Sequence, residues 1–356
     1  MSVLSAYIVS AVLRSVGLVV LILTAVTTVV QFVAQLDDVG TADYGIREAI
    51  TFVLLGIPRL VVEALPAAAL IGALLGIGQL ASKSEIHAMR ASGFSKLQLI
   101  GTVALAGALL AGLMAILGES FAPSLGAYAR ELRARSLLDD NALADGQSTW
   151  LKDGNMILNV RRSFGDQAID SGVYLFEIGS DRELASVAHA ESVNVDDSQD
   201  WALTNYAETR FGEAAITASH AARSVRQYGV AAELLGLSVV RQDMLDTPTL
   251  ERYIEYLRAN GLDASRYLTA YWSRWSGLVT APLMALLALP FALGGLRSAG
   301  TGARLVFGLL IGLTLYVADD ILANSGAAFG LDPLLVAWAP TGVLAAISLV
   351  ALVRLR

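Results

Sequence analysis

Residues 81–97 read ASKSEIHAMRASGFSKL, a charged interruption between apolar runs at 52–80 and 97–117. Each run reaches the roughly 20 residues a helix needs to cross a bilayer, so the interruption is the loop of a helical membrane hairpin. Lys83, Arg90 and Lys96 fall in that loop, and short loops rich in Lys and Arg stay on the cytoplasmic side. Ser82 with Glu85 three residues on has the form of a capping box, and Gly93 is a natural stop. A helix is therefore expected at about 82–93, two to three turns long at ~3.6 residues per turn. Ile86, Met89 and Arg90 share one of its faces by their i, i+3, i+4 spacing, with Phe94 just past its end. Such an apolar and basic knob suits the docking of a cytosolic partner; an interfacial helix lying on lipid headgroups is the plainer alternative.

The rest of the chain agrees with a membrane protein. Of 356 residues, 55% are hydrophobic and 16% charged, and the mean hydropathy is +0.59. Charge is unevenly placed: residues 119–263 carry 23 acidic and 13 basic side chains, a net of −10 in a chain whose total is −7. An acidic soluble domain thus lies between apolar flanks, and no nucleic-acid partner is expected of it. Cysteine is absent, which excludes a disulfide framework and a thiolate metal site. The N-terminus lacks a basic region followed by a cleavage site, and its first apolar run reaches spanning length, so it is expected to be kept as a span.

Six spans are expected, at 16–36, 52–80, 97–117, 267–291, 303–322 and 333–353. The second is broken by Pro58 and Pro66 and the fourth by Pro282 and Pro290, which a helix inside a bundle tolerates better than one in water. Arg297 and Arg304 after the fourth span, and Arg354 and Arg356 at the C-terminus, join the 81–97 loop on the cytoplasmic side. The opposite loops carry Asp37, Asp38, Asp43 and Glu48 against Arg47, and Asp332 alone. Both termini then lie inside, and the large middle domain faces outward.

That domain reads as β. Asp153-Gly154, between 149–152 and 155–160, is a two-residue hairpin signal. Strand-like runs at 172–178, 185–195, 201–211 and 214–225 follow, separated by turn-rich pieces, the pattern of a sandwich or jelly roll. Thr247-Pro248 opens a helix at 249–260 that Gly261 closes just before the fourth span. The expected class is membrane α-helical, with six transmembrane helices and an all-β domain inserted between the third and fourth. By residue, 1–118 holds spans one to three, 119–265 the β domain with flanking helices, and 266–356 spans four to six.

Ser84-Glu-Ile-His-Ala-Met-Arg-Ala-Ser-Gly-Phe94 resembles the S-E-x-x-x-M-[RQ]-A-S-G-[FV] signature of the LptF/LptG permeases of the lipopolysaccharide exporter. Leu65-Pro-Ala-Ala-Ala-Leu-Ile-Gly-Ala-Leu-Leu-Gly76, Gly118-Glu-Ser-Phe-Ala-Pro123, Trp150-Leu-Lys-Asp-Gly154, Tyr253-Ile-Glu-Tyr-Leu-Arg258 and Leu289-Pro-Phe-Ala-Leu-Gly-Gly-Leu-Arg-Ser298 match in order, so the resemblance covers essentially the whole chain. The Trp150, Tyr253 and Gly-Leu-Arg-Ser segments are more similar to the LptG branch than to the LptF branch. The resemblance implies an inner-membrane heterodimer of LptF and LptG subunits, each with six spans and a periplasmic β-jellyroll. It implies two copies of the ATPase LptB beneath them, LptC beside them, and lipopolysaccharide as the cargo passed to a β-jellyroll bridge. In those terms Ser84, Glu85, Ile86, His87, Met89, Arg90, Ser92, Gly93 and Phe94 form the coupling helix that seats in LptB. An LptF-type sister, another glycolipid exporter permease and a membrane scaffold for periplasmic partners remain as alternatives.

No chemistry is expected of the chain itself. A P-loop needs a glycine directly before its lysine, whereas Lys83, Lys96 and Lys152, the only lysines, follow Ser82, Ser95 and Leu151. ATP and Mg are therefore expected on a separate subunit, and no cofactor on this one. A membrane-embedded hydrolase is the alternative from another class, because Glu63, Arg274, Asp319 and Asp320 lie in or near spans. Against it, His87, His189 and His220 are scattered, and neither H-E-x-x-H nor G-x-S-x-G occurs. Ion pairing is the quieter use of these charges. Arg59 and Glu63 are i, i+4 on one helix, and Arg274 lies at a depth similar to that of Asp319 and Asp320.

A lipid A cargo needs an apolar wall beneath a rim that holds its anionic head. Arg130, Arg133 and Arg135, just past the third span, are candidate phosphate ligands; a solvated helix face paired with Glu131 is the alternative. Gln31, Phe32, Leu65, Leu70 and Leu74 are the candidates for the wall. Gln31, Asp37 and Asp38 align with positions where family members carry lysines, so those basic contacts are missing. Either the arginines then take more of the headgroup, or the cargo carries fewer phosphates or is another acidic glycolipid. Gly72 and Gly76, four apart on the second span, permit a close helix approach.

Overall fold

The computed structural model describes residues 3–137, 147–162, 172–179, 181, 183–195, 200–212, 215–227, 245–294 and 300–354. Arg297, one of the residues expected to mark the cytoplasmic side, lies outside them. The chain divides into two compact units. One comprises Met1–Asp37, Val53–Ala127 and Ser265–Arg356, the other Asp38–Phe52 and Tyr128–Ala264. The segment Asp38–Phe52, legible in the sequence only as a loop after the first span, thus groups with the β strands.

The helices are α1 (Val3–Gln35), α2 (Ile46–Ser82), α3 (Glu85–Ala91), α4 (Lys96–Ile116) and α5 (Ala122–Leu137), with a π-helical turn at Leu117–Phe121. After the strands come α6 (Thr247–Ala259), α7 (Ser265–Leu293), α8 (Thr301–Phe329) and α9 (Pro333–Val353). Among the described residues α1, α2, the run from Lys96 to Leu137, α7 and α9 are each long and apolar enough to cross a membrane. The helix α8 is 29 residues long, and its described apolar stretch is Gly302–Thr314. The breaks expected at prolines do not occur: α2 runs through Pro58 and Pro66, and α7 through Pro282 and Pro290. Neighbouring helices hold such a helix on course even where proline removes a backbone donor.

Small residues set how closely these helices pack. A Cβ on Gly72 would fall 2.5 Å from Val16 Cα, and one on Gly76 2.9 Å from the Ala11 carbonyl oxygen, so α1 rests in the notch that the two glycines leave on α2. On another side of α2, a Cβ at Gly308 of α8 would sit 2.9 Å from Ile71 Cγ1. Gly107 of α4 meets Pro282 of α7 in the same way, at 2.6 Å. The Thr280 and Thr341 hydroxyls, 2.9 Å apart, join α7 to α9. With α1 and α8 against it, α2 is the centre of the helical core, and Leu65, Leu70, Leu74 and Ile77 are buried there. Arg304, expected in a loop, stands instead in the first turn of α8 and is buried beside Gly78.

The strands are β1 (Gln147–Asp153), β2 (Met156–Arg162), β3 (Val173–Ile178), β4 (Leu184–Ala190), β5 (Ser192–Val195), β6 (Asp200–Phe211) and β7 (Ile216–Gln227). They form one curled antiparallel sheet in which β1 to β4 follow in order and β6 pairs β4, β5 and β7. The single strand expected at 185–195 is divided at Glu191, facing Asn205 with its φ of 50°. Its register nevertheless continues, from Ser186↔Arg210 to Ser192↔Thr204. One face carries Leu158, Val160, Val173, Leu175, Ala188 and Ala190, all buried, which is the period-two pattern of a sheet with one inner side, and beyond Asn205 the buried positions of β6 change parity to Trp201 and Leu203. The hairpin turn is one residue later than expected. Asp153 pairs with Met156, so the turn is Gly154-Asn155, with the positive φ on Gly154 alone (55°), the sign pattern of a II′ turn.

Candidate functional site

The docking stretch is shorter than the sequence suggested, and differently capped. Ser82 ends α2, donating its hydroxyl hydrogen to the Gln79 carbonyl, and the residue before α3 is Ser84, left-handed at φ 59° with no side-chain cap. The capping box expected from Ser82 and Glu85 is therefore absent, because the chain must reverse between α2 and α3 and spends Lys83-Ser84 on that turn. A true capping box stands at the next helix, where Ser95 and Gln98 bond each other's backbone reciprocally. Gly93 does stop α3, at φ 97°, a value that suits glycine.

The face expected to project outward points inward. Ile86 is 2% exposed, and Met89 and Phe94 are 8% each, all packed into the chain's own helical core. An apolar stripe on a seven-residue helix is buried by its own protein before any partner arrives, which hydropathy does not reveal. The outer surface is His87, Ala88, Arg90, Ala91, Ser92 and Gly93. Arg90 has no ion-pair partner among the described residues. Glu85 accepts a hydrogen bond of 2.9 Å from the Tyr7 hydroxyl of α1, a contact that no spacing in the sequence announced.

In the β-bearing unit, Arg133 bonds Asp38 at 2.5 Å and lies over the Phe52 ring at 5.4 Å. Asp43 N–H donates to the Ser136 carbonyl beside them. Arg135 bonds Glu131 one turn back, also at 2.5 Å, and Arg130 is half-buried. Two of the three candidate phosphate ligands thus already face carboxylates. Asp38, which stands where the family resemblance calls for a cation, is the partner of one of them. Burial pushes the phenol of nearby Tyr44 up, while the Arg133 charge works the other way.

The candidate wall residues divide. Leu65, Leu70 and Leu74 are buried in the helical core and offer no surface to a cargo outside it. Gln31 is exposed and Phe32 half-buried. A cavity of about 280 Å³ does lie within the helical unit, lined by Glu63, Pro66, Ser276, Gly277, Thr280 and Thr341 among others, and by none of the five wall candidates. At its edge Glu63 pairs with Arg59 at 2.7 Å, as the i, i+4 spacing predicts. Arg274 pairs with Glu119 of the π-helical turn at 3.6 Å, a partner the sequence had not suggested; the Asp319 and Asp320 side chains lie outside the described residues.

Two motifs that carried the resemblance meet in the β-bearing unit. Tyr256 of α6 accepts from the Lys152 N–H and donates to the Lys152 carbonyl, both at 2.9 Å, and Asn260 Oδ1 accepts from Gly154 N–H at 2.8 Å. The helix α6 thereby covers the open edge of β1 and satisfies backbone groups that an edge strand leaves unpaired. Tyr256→Phe removes both tyrosine bonds and is expected to cost about 1–3 kcal/mol, read as a lower thermal midpoint of the β-bearing unit in the whole protein. Burial also pushes this phenol above its ordinary value of 10.0. The stability that the protonated phenol contributes is then fully present below that pH and is lost as the pH rises through the raised value.

Known proteins match the sequence of this chain along nearly its whole length. The family described as lipopolysaccharide export system permease LptF/LptG matches residues 6–354. The chain is 32% identical over 354 residues to the lipopolysaccharide export system permease protein LptG of Escherichia coli (strain K12), covering 99% of this chain and 98% of that protein. To the protein of the same name from Haemophilus influenzae it is 31% identical over 340 residues, 95% of this chain and 94% of the other. Helices with a curled β unit between them, a short helix carrying the SEIHAMRASGF signature and a full-length match converge on one assignment: the chain belongs to the LptF/LptG family of lipopolysaccharide export permeases.

Proposed function

We infer that this chain works as the LptG-type permease subunit of a lipopolysaccharide export system. It pairs with an LptF-type sister in the inner membrane, with both termini in the cytoplasm and the β unit in the periplasm. Two copies of a separate ATPase of the LptB type bind and hydrolyse ATP with Mg, and LptC stands beside the pair. The chain itself is non-catalytic. It lifts the glycolipid from the membrane and hands it to the periplasmic bridge.

One observation carries the coupling role. A short helix held between two spans turns His87 outward together with Arg90, which has no ion-pair partner among the described residues, in a chain without a phosphate-binding loop. A basic patch of that kind suits a groove with acidic walls on a cytosolic partner, and burial of Ile86 and Met89 holds it rigid. The cargo head is read from the outer rim. With Arg133 bound to Asp38 and Arg135 to Glu131, the rim offers less net positive charge than three arginines suggest. This favours a glycolipid with fewer phosphates.

Depletion of the protein in its own cells is the test. Lipopolysaccharide is expected to accumulate in the inner membrane and to fall in the outer membrane, with its headgroup composition read by mass spectrometry. Accumulation of no glycolipid would overturn the assignment, and a fully phosphorylated lipid A would overturn the reading of the rim.

A further inference from the structure

We propose that Tyr7 is a positioning residue for ATPase coupling: its hydroxyl fixes the Glu85 carboxylate of α3 and so ties the docking helix to α1. The proposal rests on the docking role of α3. Glu85 opens a helix of seven residues, and the hydrogen bond to its carboxylate comes from outside that helix. The Tyr7 hydroxyl donates to Glu85 Oε2 at 2.9 Å across 78 residues of sequence.

The tyrosine ring is itself exposed, and what is held in place is the helix that carries it. Beside it Ile8 is fully buried, as are Val12 and Val16 along the same face of α1, and the Gly72 and Gly76 notch seats that face on α2. The same α2 ends at Ser82, three residues before Glu85. Hence α1, α2 and α3 form a closed triangle in which Tyr7 makes a polar link between α1 and α3. A carboxylate fixed before the partner arrives loses less side-chain freedom on docking, and any tilt of α1 moves it.

Tyr7→Phe keeps the ring and deletes only the hydroxyl, so folding and membrane insertion are retained. The complex with its sister subunit and ATPase is reconstituted in liposomes and assayed for ATP turnover, KM for ATP and glycolipid delivered per ATP. The delivery per ATP is expected to fall about tenfold, the scale of one lost hydrogen bond to a charged group, while KM for ATP stays unchanged. Glu85→Gln should show a similar loss, and the double variant should be no worse than Glu85→Gln alone. Wild-type delivery per ATP in Tyr7→Phe beside a defective Glu85→Gln would overturn the positioning role. If Glu85→Gln and Arg90→Glu both leave delivery intact, the docking role of α3 fails and the proposal with it.

Discussion

Met89→Asp is expected to abolish export by unseating α3, and the damage appears in the protein's own fold before it appears in docking. Met89 is 8% exposed and belongs to the helical core with Ile86, Phe94 and Leu99. The substitution forfeits the packing of a buried methionine and asks a carboxylate to leave water with no cation on α3 turned towards it. Together these cost at least about 3 kcal/mol. A helix of seven residues cannot absorb that loss, since isolated helices shorter than ~12 residues are marginal even with ideal sequences. The expected readout is a lower thermal midpoint of the purified protein and loss of ATPase co-purification together. Arg90→Glu is the comparison. Arg90 is exposed, so stability is expected to stay within about 0.5 kcal/mol of wild type while the ATPase is lost. Were Met89→Asp to keep its thermal midpoint while losing only the ATPase, Met89 would be a contact residue and its burial in the free protein would be transient.

The contrast between these neighbours shows what the sequence could and could not convey. Hydropathy located five described helices long and apolar enough to cross a membrane, because twenty apolar residues in a row have few other uses. Strand alternation located β3, β6 and β7 to within about two residues, the usual uncertainty of element ends. The i, i+4 rule found Arg59 with Glu63 because both partners lie on one helix. The i, i+3 rule also placed Ile86 and Met89 correctly on one face, but it carries no information on whether that face meets the protein's own core or a partner. Contacts made across long separations were invisible. Asp38 with Arg133, Tyr256 with Lys152 and Tyr7 with Glu85 are each set by tertiary packing, and no local spacing encodes them. The Ser82 capping box failed for a related reason. The pattern was present, but the reversal after α2 needed Lys83 and Ser84, so the helix began three residues later.

Gly72→Ala, a single added methyl group, is expected to be as damaging as many core truncations. Its Cβ would fall 2.5 Å from Val16 Cα and 2.6 Å from Val16 N, both backbone atoms of α1. No rotamer change relieves a clash with backbone, so α1 and α2 must move apart along the whole crossing, which opens the packing around Ile8, Val12 and Leu70 as well. The cost is expected near the upper end of the overpacking range, about 3 kcal/mol. Gly76→Ala should follow in the same direction, with 2.9 Å to the Ala11 carbonyl oxygen. Gly101 and Gly112 on α4 are the controls, because a Cβ at either meets nothing within 4 Å. Alanine there removes backbone freedom from the unfolded chain without a clash, and is expected to leave stability unchanged or raise it by up to about 1 kcal/mol. Thermal midpoints of the four variants in one detergent give the comparison: two losses at the notch against no loss on α4. Equal behaviour of all four would mean that α1 is not held on α2 by close packing. The link from α1 through Tyr7 to the docking helix would then lose its fixed end.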